Sequence, residues 1–130
     1  MSEAKKELNK LTIEDILKRK KFFEEKKKET KKLYVKSLDA CIVVEKPDKE
    51  LLFDVQEMDE EFADSYLVYE CLKEPNLHSP EVLEAFKDKI KEPTDILFEI
   101  FDTFEVADIA RKLVAMSGYD GVEEVEELKK

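Results

Sequence analysis

Apolar side chains recur along this chain with two periods, and the change of period divides it. From Thr12 onward Ile13, Ile16, Leu17 and Phe23 keep the three-to-four-residue spacing of a helix. Thr12 is a capping residue, Asp15 stands three positions on where its carboxylate can reach back, and Leu11 and Ile16 hold the places of a hydrophobic staple. Over the fifteen residues from Lys18 to Lys32, however, only Phe22, Phe23 and Thr30 interrupt the charges, so the second half has little to bury. The pattern predicts a long N-terminal helix, ending near residue 33, that projects from the body. The period then drops to two: Leu33 and Val35 alternate with Tyr34 and Lys36, and the β-branched run Ile42-Val43-Val44 follows before Pro47. This predicts a β-hairpin over residues 34–46, with no Asn-Gly or Asp-Gly to fix its turn. A lone hairpin is marginal in water, so one face must pack on helices.

From Asp48 the helical period returns. Asp48 can cap a short helix that turns Leu51, Leu52 and Val55 inward, and a second starts near Asp59 with Phe62, Tyr66, Leu67, Tyr69 and Cys71 facing the core. Glu74-Pro75 stops it, because proline lacks the amide donor and disfavours helix at the residue before it. Ser79-Pro80 opens a helix carrying Val82, Leu83, Phe86 and Ile90, and Glu92-Pro93 ends that one. Thr94 or Asp95 caps a short helix with Ile96, Leu97, Ile100 and Phe101. Thr103 starts the last long one, with Val106, Ile109, Ala110, Leu113 and Val114 on one face and Gly118 at the C′ position. Val122, Val125 and Leu128 mark either a weak final helix or a frayed acidic end. The expected architecture is mainly α (α+β): one domain over 1–130, with a charged helix over 1–33, a hairpin over 34–46, a body of about five to six helices over 47–118, and an acidic tail over 119–130.

Charge sharpens this division. The 130 residues carry a net charge of −10, but residues 1–33 hold 12 Lys/Arg against 7 Asp/Glu, a balance of +5, which leaves −15 for the remainder. A charged fraction of 43% suggests disorder, yet Leu, Ile, Val and Phe make up 30% of the chain, enough for a core. Net acidity disfavours nucleic acid and anionic membranes as partners. With only Gly118 and Gly121, phosphate-cradling loops are excluded. Cys41 and Cys71 show no CxxC spacing and no secretory leader precedes them; both read as reduced core thiols of a cytosolic protein.

Reactive chemistry finds few candidates. His78 is the only histidine, in a short connector between helices, and reads as an exposed loop residue. Carboxylates are so numerous that no pair stands out, and no pocket is legible to shift one. No catalytic residue, metal or cofactor is expected. What remains is aromatic. Phe22 and Phe23 follow the basic run Lys18-Arg19-Lys20-Lys21, and Phe98, Phe101 and Phe104 cluster around a helix junction, where rings can be core or anchors for another protein. These five are the candidate interaction residues.

Several segments, in order, carry a resemblance: Leu11-Thr12-Ile13-Glu14-Asp15-Ile16-Leu17, Tyr34-Val35-Lys36-Ser37-Leu38-Asp39, Asp64-Ser65-Tyr66-Leu67-Val68-Tyr69-Glu70-Cys71, the Glu74-Pro75-Asn76-Leu77 and Glu92-Pro93-Thr94-Asp95-Ile96 breaks, and Ala115-Met116-Ser117-Gly118-Tyr119. In this series the chain resembles the XkdN-like tail assembly chaperones of long-tailed phages and prophages. Ala40 stands where such a hairpin is expected to turn on glycine. The resemblance implies a non-catalytic protein of the host cytoplasm, not retained in the mature virion, that binds the helical tape measure protein and keeps it soluble until tail tube subunits displace it. Further partners so implied are a frameshift-extended form of the chain, the tail tube protein and other copies of itself. The rival readings are a nucleic-acid-binding regulator that uses the basic helix and a structural tail component.

Overall fold

A computed structural model describes residues 9–125 of the chain. Among the described residues, seven α-helices and three strands run in the order α1 (Ile13–Lys18), α2 (Lys20–Lys26), β1 (Thr30–Val35), β2 (Ala40–Glu45), α3 (Lys49–Gln56), α4 (Glu60–Cys71), β3 (Leu72–Glu74), α5 (Pro80–Ala85), α6 (Ile96–Ile100) and α7 (Thr103–Met116). Single 3₁₀ turns lie at Lys36–Leu38 and Pro93–Asp95. The architecture is α+β, as the periodicity implies.

The expected long N-terminal helix is instead two short ones. Arg19, at φ −106° and ψ 24°, leaves the helical region and separates α1 from α2. Neither helix buries a residue. Helices this short are marginal in water without an apolar face packed on something, and Lys18 to Lys21 place four like charges in succession there. The chain is already extended at Thr30, where the sequence reads as helix up to residue 33. Thr30 to Val35 pair in register with Glu45 to Ala40, so cross-strand partners decide the conformation of Lys31 and Lys32.

The hairpin is part of a three-stranded antiparallel sheet in the order β1-β2-β3. Its turn uses the 3₁₀ segment and Asp39, which sits in the left-handed region at φ 49°. Asp39 therefore does the work expected of a glycine at position 40, and its Oδ1 accepts a 2.6 Å bond from the Tyr34 hydroxyl. Asp and Asn tolerate this conformation better than other side chains. That hydrogen bond is the main cause of a raised Tyr34 pKa. β3 is a departure from expectation: α4 ends at Cys71, before the proline, because Leu72 and Glu74 pair with Val44 and Val43 across an irregularity in β2.

The core lies between the sheet's inner face and the helices. Ile42 and Val44 alternate inward on β2 with Val35 from β1, while α4 contributes Leu67, Val68, Tyr69 and Cys71 and packs against α7 through Val106, Ile109, Ala110 and Leu113. Ile96, Leu97 and Phe101 close it. Each Val, Leu, Ile or Phe among these, fully withdrawn from water, contributes about 1.5–3 kcal/mol.

Local signals set the helix ends. Asp48 Oδ1 accepts from the Leu51 amide at 2.8 Å, and Glu105 Oε1 accepts from the Asp102 amide at 2.8 Å. α7 ends in a Schellman turn: Gly118 (φ 93°) donates to the Ala115 carbonyl at 3.1 Å and Tyr119 to that of Val114 at 3.4 Å. α5 stops at Ala85, short of Ile90, as its last turns tighten into three-residue bonds such as Lys89 to Phe86. Residues 121–125 form no regular structure, and Leu128 lies outside the described residues.

Candidate interaction surface

The structure sorts the five candidate phenylalanines. Phe101 is 3% exposed and belongs to the core, so it offers no contact surface; the turn after α6 points it inward beside Leu97. Phe98 and Phe104, on either side of it, are 45% and 82% exposed. On α2, Phe22 is exposed and Phe23 half-buried, their rings edge-to-face at 5.7 Å. The Arg19 guanidinium lies over Phe22 at 4.4 Å, and Lys26 approaches both rings at 5.9 Å. A cation over an aromatic face is attracted by the ring quadrupole. The arm thus carries a small aromatic cluster braced by its own cations.

Other exposed apolar groups extend this surface. Leu11, Ile13, Ile16 and Leu17 all face water around α1, although the Thr12–Asp15 capping box is complete, with both bonds at 3.1 Å. Helical spacing identified this stripe as one face, and the scarcity of apolar partners after Lys18 is the signal that it stays uncovered. Phe53 on α3 is also exposed, a residue that its neighbours Leu51, Leu52 and Val55 mask in sequence.

The candidates for chemistry have structural explanations. His78 is exposed, as expected of a loop residue, but its ring stacks on Tyr69 at 4.1 Å while Nε2 lies 3.0 Å from the Tyr69 carbonyl oxygen. Its amide is held by Asn76 Oδ1. Of the two thiols, Cys71 is in the core but Cys41 is exposed on β2, which corrects the expectation that both are core residues. Its place in the strand alternation explains this, since Ile42 and Val44 take the inner face. Burial pushes the Cys71 thiol up to about 12, with the carboxylates of Glu45, Glu70 and Asp48 adding to the effect. Such a thiol is a poor nucleophile at neutral pH. Among the described residues no three His, Cys, Asp or Glu side chains converge as metal ligands, and no helix is long and apolar enough to cross a membrane.

A small α+β domain with a closed core, a split charge distribution and aromatic groups left outside is suited to meeting other proteins. The chain belongs to the family of phage XkdN-like tail assembly chaperones, whose model matches residues 1–129. Comparison with curated proteins and with solved structures gives no match.

Proposed function

We propose that this chain binds the tape measure protein of its phage, without catalysis, and keeps it soluble in the host cytoplasm until tail tube subunits replace it, so that the mature virion lacks the chaperone. Family membership over residues 1–129 is the observation that supports this reading. The surface suits it physically: exposed apolar side chains on a strongly charged body can hold an aggregation-prone helical client and remain soluble. Phe22 and Phe23 on the arm and Phe98 and Phe104 at the α6–α7 junction are the proposed contacts. Amphipathic helices commonly dock on such apolar surfaces, and several copies along one long client would add their affinities. A frameshift-extended form of the chain and the tail tube protein are the other proposed partners.

Co-expression with the tape measure protein of the same phage tests the reading. The client should move into the soluble fraction and co-elute with the chain, and Phe22→Ser with Phe104→Ser should reduce both. A client equally insoluble with and without the chain overturns it.

A further inference from the structure

Two apolar patches of this chain lie open to water, and the charges around them are opposite. On the arm, Ile13, Ile16 and Leu17 share one exposed face of α1. From Lys10 to Lys21 five residues are basic and two acidic. Both acids are engaged within the helix: Glu14 pairs with Lys18 at 3.7 Å, and Asp15 accepts from the Thr12 amide at 3.1 Å. The balance left beside the stripe, at Lys20 and Lys21, is basic.

The α6–α7 junction is the reverse. From Glu92 to Ala110 the chain holds six Asp or Glu and no Lys or Arg. Phe98 and Phe104 stand exposed there beside the exposed Glu99 and Asp102. Cations approach on one side, where Arg111 pairs with Asp108, and Lys36 and Lys112 share a groove with Glu105 and Asp108. Among the described residues no ion pair involves Glu99 or Asp102.

One copy does not cover its own junction with its own arm, since both patches are exposed. Phe22, five residues after Leu17, shares a groove with Met116 and Gly118 at the C-terminal end of α7, and the helical rise puts about 18 Å between Met116 and Phe104. A second copy is under no such restraint.

We propose that the α1 stripe of one copy docks on the α6–α7 junction of another, laying Ile13, Ile16 and Leu17 against Phe98 and Phe104, and Lys20 and Lys21 against Glu99 and Asp102. An amphipathic helix seated by anchors three and four residues apart is a recurrent mode of recognition. Arm on arm, or junction on junction, would set like charges together, so the charges select the mixed pairing. Copies of net charge −10 repel one another, but at about 0.15 M salt that repulsion is screened beyond about 8 Å, while groups in contact are screened much less. The two patches differ, so the contact is head-to-tail. It needs no client and stands apart from the tape measure reading; a client that takes Phe98 and Phe104 displaces a neighbour's arm.

Patches this small make a contact of the weak, transient class, so sedimentation velocity at about 100 μM suits it. The native chain should sediment above the monomer. Two double variants, Ile13→Ser with Leu17→Ser and Phe98→Ser with Phe104→Ser, change exposed groups outside the core, and each alone should be monomeric. Mixed in equal amounts, they should form a dimer of one chain of each, because the first keeps its junction and the second its arm. That dimer should dissociate as salt rises from about 0.15 to about 1 M. A native chain that is monomeric at about 100 μM, a double variant that associates as the native chain does, a mixture that stays monomeric, or association that salt leaves unchanged overturns the proposal.

Discussion

The arm and the body of this protein are both helical, and they are stable for different reasons. α1 has a complete capping box, acidic residues in its first turn and a lysine in its last, yet it buries no side chain. α7 has the returning half of such a box, Glu105 Oε1 accepting from the Asp102 amide at 2.8 Å, and it also buries Val106, Ile109, Ala110 and Leu113. Local signals therefore start a helix in both places. Only burial makes one of them part of the cooperative unit, because capping is worth about 1 kcal/mol and a buried aliphatic side chain about twice that. The arm's apolar stripe is correspondingly free for other contacts.

Core truncation should separate the two regions most sharply. Leu113 is fully buried between α7 and the rest of the core, so Leu113→Ala should cost about 2–5 kcal/mol in urea unfolding. Leu17→Ala, at a site 71% exposed, should change stability by less than about 0.5 kcal/mol. A large loss at Leu17 would mean that the arm packs on the body after all.

The thiols give the next contrast. Cys71 holds its proton to about 12 when folded, against 9.0 for the free group. A raised folded value stabilises fully below the lower of the two and is lost as pH rises through the upper, so stability should decline between about pH 9 and about 12. The decline should be shallower in Cys71→Ala. At pH about 8 a thiol reagent should modify Cys41 in the folded chain and reach Cys71 only after unfolding. Rapid labelling of both thiols in the folded state would show that the core opens locally.

The features legible in the sequence are the ones that a few neighbouring residues decide. Thr12 with Asp15, Asp48 before Leu51, and Gly118 after Met116 each satisfy backbone groups within one turn of helix, and each forms as the pattern predicts. Elements fixed by distant partners were not legible. Lys31 and Lys32 look helical until Val44 and Val43 pair with them, and Leu72 to Glu74 read as a helix end until the far edge of β2 takes them up. The candidate surface divides the same way. Sequence places Phe98, Phe101 and Phe104 at one junction, but only the packing of α6 on the core decides that Phe101 is inside and its neighbours outside.

Gly118 offers a smaller test on the body's side. At φ 93° a side chain is strained even though nothing lies within 4 Å of the place a Cβ would take, so Gly118→Ala should destabilise through backbone strain by about 1–2 kcal/mol. Steric crowding adds nothing. An unchanged urea midpoint would show that the Schellman turn is dispensable and that the end of α7 re-forms around alanine.

The smallest effects come from the caps, and they bear most directly on the comparison. Glu105→Ala removes the carboxylate that accepts from the Asp102 amide at the start of a helix that carries the core, so global stability should fall by about 1 kcal/mol. Thr12→Ala removes the hydroxyl that accepts from the Asp15 amide at the start of α1, whose helix is not coupled to the core by burial. The second substitution should lower helical circular dichroism slightly and accelerate amide exchange at Asp15 and Ile16, while leaving the global unfolding midpoint where it was, because a segment that opens alone contributes nothing to the free energy of unfolding the rest. If Thr12→Ala instead shifts the midpoint as far as Glu105→Ala, then α1 and the body unfold as one unit, and the arm's exposed stripe must be engaged with another surface in solution.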